Sequence, residues 1–435
     1  MMRNNRKRSP LAAAVALVSI SSVASRAETL DDAWAQALQQ DRGLAAVRSQ
    51  AESAELDAAA ARAQRWPTVA VGGSYTRLDD APAFDFSFTG LPIIPPELFP
   101  NDSIVMGSAM VTVPLFTSGR ISSTIAAAQA RSRGAGAQAI GAAEDLKLAV
   151  ADAYVGVLRA RKTLAVAESS VASFEALASD VASMFERELV PKNDLLAVQV
   201  AAADAQQQRL RAANALQIAL AVYNRRLGEP MDRVADLADT LPEPGDLPVE
   251  IDALVEQALR QRTELTALDQ QAETYGAMAK SERSRVLPQL ALTGGYSYLS
   301  NSFLDDQEFL SAGVSVQWAL FDGGQSRKRA AALDRSRRAT EEQRQDAQSL
   351  IALQVRQAWL DVEESRDRMK VTARAVEQAE ENQRIAREQY GAGLGTQTQL
   401  LQAETLRVQA LTNRDTAVLD AGLAKLRLAR ATGSL

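Results

Sequence analysis

The sequence predicts a mainly α-helical chain with a small β part, in which one pattern of elements is written twice. Three observations support this fold class: a long heptad pattern, the same element order in both halves, and four short alternating segments. The heptad pattern runs from about Ser122 to Arg187 and predicts a helix of roughly 100 Å, which no compact domain needs. Its apolar or small residues alternate four and three apart without a slip: Leu146, Val150, Ala153, Val157, Ala160, Leu164, Ala167, Val171, Phe174, Ala178, Val181 and Phe185. Such a seam indicates helices wound around one another, and a filamentous coiled coil shares it, so the flanking segments decide between fold classes.

The composition excludes most catalytic chemistry. The 435 residues include no cysteine and no histidine, and the formal net charge is −6. Disulfides, thiol nucleophiles, zinc sites of the usual ligands and Ser-His-Asp triads are therefore excluded. We expect no enzyme activity, no metal and no cofactor, and the acidic balance disfavours nucleic acid as a partner.

Residues 1–27 have the pattern of a secretory signal peptide. Four cations precede an apolar stretch from Leu11 to Ile20, and Ser25-Arg26-Ala27 is a small-x-small cleavage site. A membrane anchor is the alternative, but the apolar stretch is too short to span a bilayer comfortably. We expect an exported mature chain that begins at Glu28.

The rest of the chain is a duplicated domain. Pro67 matches Pro288, 221 positions further on, whereas Gly228 matches Gly433 at 205 positions because the first half has a longer loop. The expected parts are a first repeat at 28–228, a proline-rich linker at 229–250 and a second repeat at 251–435. Each repeat holds a helix broken near its middle, two strands, a long helix, a turn and a half-length helix. The expected helices are 30–65, 122–187, 194–227, 251–286, 326–390 and 399–432.

Four segments alternate between apolar residues and small or polar ones, which is typical of strands with lipid on one face and water on the other. The apolar or aromatic phase, which includes some glycine and alanine, is Val69, Val71, Gly73 and Tyr75, then Val111, Val113 and Leu115, then Leu290, Leu292, Gly294, Tyr296 and Tyr298, and finally Ala312, Val314, Val316, Trp318 and Leu320. A soluble antiparallel sheet has the same alternation, but four strands in one phase on an exported chain favour a membrane barrel.

Four strands cannot close a barrel, and each unpaired backbone group at an open edge costs several kcal/mol in lipid. Two copies would give eight strands, whose interior fills with side chains, whereas three give twelve and leave a lumen. The opposite strand phase, with Ala70, Gly72, Ser74, Gly313 and Ser315, is small enough to line such a lumen. We therefore expect a homotrimer in contact with outer-membrane lipid. The loop at 79–102, much longer than its counterpart near residues 300–308, is expected on the outside.

This order of elements, repeated behind a signal peptide, resembles the TolC-like outer-membrane efflux protein family over essentially the whole mature chain. The most specific motifs are the paired proline-to-strand junctions, the turn Phe321-Asp322-Gly323-Gly324 and the tip from Tyr390 to Thr398. The resemblance implies a trimer with a 12-stranded β-barrel in the outer membrane of a Gram-negative bacterium. It also implies an α-helical coiled-coil barrel across the periplasm that works with a periplasmic adaptor protein and an inner-membrane transporter.

The resemblance also implies three groups of functional residues. The strand–helix junctions are Pro67, Gly119, Pro288, Gly323 and Gly324. The tips that contact the adaptor are Leu189, Val190, Pro191, Lys192, Gly393, Leu394 and Gly395. The periplasmic pore entrance is Asp194, Thr396, Gln397, Thr398, Gln399 and Gln402.

The entrance departs from the TolC pattern. TolC carries two aspartates where this chain has Gln399 and Gln402, and an arginine where it has Gln397. An acidic, cation-binding constriction is therefore not expected. Asp194 matches the family, and its side chain could accept hydrogen bonds from the opposite tip or cap its own helix.

These features predict a passive exit duct of a tripartite efflux system for small molecules. The outer-membrane component of type I protein secretion has the same fold and is the main alternative. An exported coiled-coil structural protein is the third interpretation.

Overall fold

The computed structural model describes residues 27–80, 103–241, 250–300 and 305–435. Most of the predicted signal peptide and most of the loop at 79–102 lie outside these residues. The helices are α1 (Leu30–Gln40), α2 (Arg42–Ala63), α3 (Arg120–Glu186), α4 (Lys192–Leu227), α5 (Ile251–Gln261), α6 (Thr263–Arg283), α7 (Gln325–Gly391) and α8 (Gln397–Thr432). The strands are β1 (Thr68–Arg77), β2 (Ser103–Phe116), β3 (Gln289–Leu299) and β4 (Glu308–Gln317). The mainly α fold class with four strands and the internal duplication are confirmed.

Both opening helices break at one residue, and the two break residues occupy equivalent positions in the repeats. Asp41 has φ −65° and ψ 120°, and Arg262 has φ −63° and ψ 119°. The Asp41 carboxylate accepts a hydrogen bond from the Leu44 amide at 2.7 Å and so caps α2. Arg262 caps nothing with its side chain, so the second break depends on contacts described below.

The helices form one layer around α3 and α7. On the half next to the sheet, α3 packs against α2 and α6; on the other half it packs against α4 and α8. The C-terminal Gly228 of α4 meets Gln40 at the end of α1. As predicted, a closing helix and an opening helix therefore follow each other along the long helix.

The predicted seam of α3 is its packed face. Six of its twelve residues are buried and the other six are half-buried. The seam of α7 includes Ser365, a polar interruption in the sequence pattern, which is nevertheless buried because its hydroxyl donates to the Val362 carbonyl at 2.8 Å. A local hydrogen bond of this kind removes most of the cost of burying the hydroxyl.

The sheet has the order β1-β2-β3-β4, with antiparallel neighbours. Directly paired residues share a face. One row joins Val71, Ala109, Tyr296 and Leu310, and the next row over joins Gly72, Ser108, Ser297 and Phe309. A row further along the second face joins Thr68, Thr112, Thr293 and Gly313. The register thus collects most of the predicted apolar phase on one face, the apolar face, and most small or polar residues on the other, the polar face.

Several predicted boundaries were wrong. The alternation predicted a fourth strand that continues to Leu320, but β4 ends at Gln317. Just after it, the Trp318 indole donates to the Val286 carbonyl at 3.1 Å while the chain turns toward α7. The closing helices begin two residues earlier than predicted, because Pro191 and Thr396 take the capping positions.

The described part of the predicted linker packs against the helices at mid-height. Glu28 donates its amide to the Asp236 carbonyl at 2.7 Å, and its own carbonyl accepts from the Ala238 amide at 3.0 Å. The Tyr223 hydroxyl donates to the Glu28 carboxylate at 2.8 Å, and Arg233 pairs with the same carboxylate at 3.0 Å. The start of the first repeat is thereby attached to the segment that follows it.

Candidate functional site at the helical tip and the strand–helix junctions

The first tip turn connects α3 to α4 through five residues. Glu188 adopts a left-handed conformation with φ 58°, and the Leu189 amide donates to the Met184 carbonyl at 2.9 Å. Pro191 follows as the N-cap of α4, where a missing N–H costs nothing. Leu189 and Lys192 are exposed, and Val190 is half-buried.

The second tip turn connects α7 to α8 and depends on glycine. Gly393 has φ 71°, and a Cβ on Gly395 would lie 3.2 Å from the Gln389 Cβ and 3.3 Å from the Tyr390 nitrogen. Any side chain at Gly395 would force these atoms apart. Leu394, between the two glycines, is left exposed at the end of the molecule.

A capping box starts α8. The Thr396 hydroxyl accepts from the Gln399 amide at 3.3 Å, and the Gln399 side-chain oxygen accepts from the Thr396 amide at 3.0 Å. Gln399, Gln402 and Thr398 all lie on the exposed side of the helix start. Among the described residues, no acceptor bonds the side-chain NH₂ of Gln399.

The two tips are joined by a buried glutamine. Gln397 donates from its side chain to the backbone carbonyl of Asp194 at 2.5 Å. Close by, Tyr390 is buried, and its hydroxyl has no hydrogen-bond partner among the described residues. Burial, followed by the charge of Asp194, raises the pKa of Tyr390.

The structure corrects both expectations for the Asp194 side chain. Asp194 lies in the first turn of α4, after the cap residue Pro191, so its carboxylate does not cap the helix. Within the chain, its carbonyl rather than its carboxylate bonds the opposite tip. The carboxylate instead lies near the positive end of the helix dipole, which favours a negative charge.

The strand–helix junctions combine proline with left-handed glycine. Pro67 and Pro288 each directly precede a strand, whereas Gly119, Gly323 and Gly324 have φ of 85°, 66° and 79° before the long helices. The Ser118 hydroxyl donates to the Pro288 carbonyl at 2.5 Å, which ties one junction to the other.

Asp322 holds the second junction in place. Hydrogen bonds from Ser326 and from the Gly324 amide lower the pKa of its carboxyl, and the backbone bonds measure 2.8 and 2.9 Å. Glycine is required beside it because other residues rarely adopt these positive φ angles.

A charged cluster at mid-height was not predicted from the sequence. Arg262 and Arg430 are both buried, and Glu264 accepts from them at 2.9 and 2.8 Å. Burial alone would raise the pKa of Glu264, but hydrogen bonds from Arg262 and Arg430 outweigh it and lower that pKa to about 2. Arg430 also pairs with Asp145 of α3. In the sequence, the one indication of this cluster was that Arg262 occupies the position equivalent to the break residue Asp41.

Among the described residues, no group of histidine, cysteine or carboxylate side chains could hold a metal ion. No helix in the described ranges is long and apolar enough to cross a membrane.

The sequence pattern of the outer membrane efflux protein family matches residues 33–228 and 254–434, which is most of the chain. The chain belongs to the outer membrane efflux protein family. No curated protein sequence matches it significantly.

Solved structures share the fold of this family member at low sequence identity. The transmembrane channel CusC is similar with a TM-score of 0.81 and 14% identity over 93% of this chain and 92% of CusC. The outer membrane protein VceC of Vibrio cholerae has a TM-score of 0.77 and 17% identity over 93% of this chain and 96% of VceC. The CmeC outer membrane channel of Campylobacter jejuni has 0.78 and 13% over 93% and 85%.

Membership in the outer membrane efflux protein family makes this chain a channel protein of the outer membrane rather than an enzyme. The four strands form its membrane part, and the long helices form its periplasmic part. The predicted family, fold class and location are confirmed.

Proposed function

We propose that three copies of this chain form a passive exit duct through which a tripartite pump exports small molecules. The observation that carries the proposal is that both layers of the chain, the sheet and the helices, end in open edges. A single copy leaves these edges unpaired, and further copies can close them.

The sheet edges are the strands β1 and β4, and every residue of both strands is exposed in the single chain. In lipid their unpaired backbone groups cost several kcal/mol each, so the edges must pair. Pairing β4 of one copy with β1 of the next is antiparallel, as in the rest of the sheet. Twelve strands from three copies leave a lumen that eight strands would not.

The helical layer has matching open sides. Along one side, α7 exposes Leu350, Leu353, Leu360, Val371 and Ile385; along the other, α4 exposes Leu196, Val200, Leu210, Ile218 and Val222. Most of these residues follow the three- and four-residue spacing of helices that pack on helices. An exposed apolar stripe of this kind favours an interface with another copy.

The polar face of the sheet and the missing catalytic residues support passive transport. The threonine row Thr68, Thr112 and Thr293 would line a wet lumen without binding cargo tightly. Energy must then come from an inner-membrane transporter. The exposed tip residues Leu189 and Leu394 are the contacts we propose for a periplasmic adaptor protein.

We propose that the entrance residues line the pore at the same end of the duct as these tips. Gln399 and Gln402 lie one turn apart on the exposed side of α8, so a trimer would present two rings of three amides. Amide rings attract cations less than carboxylate rings do. Asp194, Thr396, Gln397 and Thr398 surround the same turn.

Two measurements test the proposed function. Native mass spectrometry of the protein extracted from membranes should show a trimer, and a stable monomer would contradict the duct. A deletion strain should become hypersensitive to small toxic compounds and recover with the wild-type gene. Loss of a secreted protein without hypersensitivity would favour type I secretion instead.

A further inference from the structure

We propose that the chain carries a binding surface for anionic phospholipid headgroups where its helices meet the sheet. This surface, the collar, consists of Arg62, Arg65, Lys280 and Arg327. The proposal rests on the sheet lying in the outer membrane and is independent of what the duct exports.

The apolar face of the sheet indicates which side of the helical layer faces lipid. Phe116 pairs with Leu290, and Leu290 pairs with Val316, so all three belong to the apolar face of the sheet. A groove of about 300 Å³ is lined by Phe116, Arg65 and Ser122. Pro114, which is in phase with the polar face, also borders this groove. Ser122, and Arg65 with it, are assigned to the lipid-facing side because Ser122 lies opposite Arg120, which contacts the polar face.

A second groove places the other cations on the same side. This groove, of about 420 Å³, is lined by Ser122, Lys280 and Asp334. Arg327 lies seven residues before Asp334 and hence on the same face of α7. Arg62 precedes Arg65 by one turn and is exposed like it.

The opposite side of the layer has different neighbours. The Arg120 guanidinium donates to the Gln289 side chain at 3.0 Å, and Gln289 is in phase with Ala291 and Thr293 on the polar face. Arg120 is two residues before Ser122, which is 200° around α3. The collar and the proposed lumen therefore lie on opposite sides of the layer.

The collar cations have no carboxylate partner in the part of the chain that the structure describes. All four are exposed, and among the described residues none of them forms an ion pair. In contrast, the neighbouring Arg283 is paired with Asp334. Within each chain these four cations are thus unpaired, and a trimer would carry twelve of them close to the membrane.

The start of α7 concentrates positive charge at the same level as the collar. Its first turn contains Arg327 and Lys328 and no acidic residue, and Arg329 follows directly. The Asp322 carboxylate already accepts from the Ser326 amide at this end of the helix, but a single carboxylate does not balance three cations beside the positive end of the helix dipole. Side chains on α7 also tilt toward the helix N-terminus, which points them at the membrane.

Aromatic residues indicate the depth of the collar. Trp66, Trp318 and Phe321 are exposed at the strand–helix junctions, the usual position of an interfacial girdle. Arg65 is adjacent to Trp66, and Arg327 lies six residues beyond Phe321. Phosphate groups of the periplasmic leaflet occupy this level, and anionic lipids attract basic residues held near the surface.

The test measures which lipid the purified trimer retains. The wild-type protein is incubated in detergent micelles with equimolar phosphatidylglycerol and phosphatidylcholine, re-isolated, and its bound lipids are quantified by mass spectrometry. We expect at least a threefold preference for phosphatidylglycerol at 50 mM NaCl that falls toward parity at 500 mM, because salt screens the attraction. Equal retention of both lipids by the wild type would overturn the proposal.

A quadruple variant, Arg62→Gln, Arg65→Gln, Lys280→Gln and Arg327→Gln, should lose the preference while remaining a trimer that conducts in phosphatidylcholine bilayers. The matched control neutralises four exposed cations away from the collar, three on α4 and one on α7. These changes are Arg209→Gln, Arg211→Gln, Arg225→Gln and Arg374→Gln. The control should keep the full preference. A collar variant that conducts and keeps it would also overturn the proposal.

Two further arms identify the source of the effect. A variant that retains charge, Arg62→Lys, Arg65→Lys and Arg327→Lys, should behave like the wild type. Inorganic phosphate at 10 mM should not displace phosphatidylglycerol, and displacement would indicate a free-phosphate site rather than a lipid surface. Loss of conductance in the wild type would instead contradict the proposed duct and leave the lipid result interpretable.

Discussion

At the residue scale, Glu264 supplies the negative charge that two buried guanidinium groups share. Arg262 and Arg430 come from distant parts of the chain, and Glu264 pairs with both. Arg262 also donates to the Ala431 carbonyl at 3.2 Å, which fixes the end of α8 against the break between α5 and α6. Charge pairing here replaces the side-chain cap that Asp41 supplies in the first repeat.

The change Glu264→Gln should lower the free energy of unfolding by roughly 2 kcal/mol, because it leaves two buried cations short of a counter-charge. Asp145 still pairs with Arg430 and limits the loss. Urea denaturation followed by circular dichroism would measure the difference. The control Glu256→Gln breaks an exposed pair with Arg260 and should change stability by less than about 0.5 kcal/mol.

The effect of Glu264 should also depend on pH. Its folded pKa is lowered to about 2, below the usual 4.5 of a glutamate side chain, so its contribution is present above pH 4.5 and is lost as the pH falls toward 2. The stability difference between wild type and Glu264→Gln should shrink over that interval. A difference that stays constant from pH 7 to pH 2 would show that the carboxylate charge is not the cause.

At the element scale, the ends of the closing helices dock on the breaks of the opening helices. Gly228 and Gly433 end α4 and α8 with φ of 73° and 76°. A Cβ on Gly228 would lie 3.2 Å from the Gln40 Cβ, and one on Gly433 would lie 3.1 Å from the Gln261 Cβ. The same close contact thus occurs at equivalent positions of both repeats.

The change Gly228→Ala should destabilise the protein by about 1–2 kcal/mol, since alanine is disfavoured in the left-handed conformation and its methyl group meets Gln40. The control Gly136→Ala lies inside α3 with nothing within 4 Å of the new Cβ. It should stabilise the protein by about 0.5–1 kcal/mol, because alanine favours a helix interior. Urea midpoints that shift in the same direction for both variants would contradict this account of the helix ends.

At the scale of the whole molecule, α7 forms an open side of the helical layer along its entire length. Val371 lies on its apolar stripe and is 66% exposed in the single chain. Its exposure makes it a probe of assembly that leaves the chain's own core untouched.

The change Val371→Asp should preserve helix content but reduce the trimer fraction at least tenfold, because the charge would be buried at the contact between copies. Native mass spectrometry and circular dichroism on the same sample measure both quantities. The control Val234→Asp places the same charge at another exposed valine. An undiminished trimer in Val371→Asp would remove α7 from the interface.

The double change Gln399→Asp and Gln402→Asp tests the entrance of the assembled duct. Position 399 lies in the first turn of α8 and position 402 in the second, close enough to the positive end of the helix dipole for aspartate, so the helix should survive. Single-channel recording in planar bilayers should show block by multivalent cations from the periplasmic side in the variant and not in the wild type. Block already present in the wild type, or absent from the variant, would place these residues away from the constriction.

The sequence by itself determined the features that depend on local periodicity. The heptad seam predicted α3 to within about two residues at its start and one at its end, and the 221- and 205-residue offsets identified the duplication. Alternation from Val69 to Tyr75 predicted both the strand and its two faces. Periodic patterns of this kind are readable because every turn or residue pair repeats the same signal.

The tertiary structure decided the features that depend on contacts between distant residues. Gln397 and Asp194 are 203 positions apart, and only their bond revealed that a carbonyl, not the carboxylate, joins the tips. Arg430 reaches Glu264 across 166 positions, and the phase of Phe116 and Leu290 assigned the collar to one side of the layer. Such contacts leave no periodic trace in the sequence, because each is a single pair whose partners are brought together only when the long helices pack.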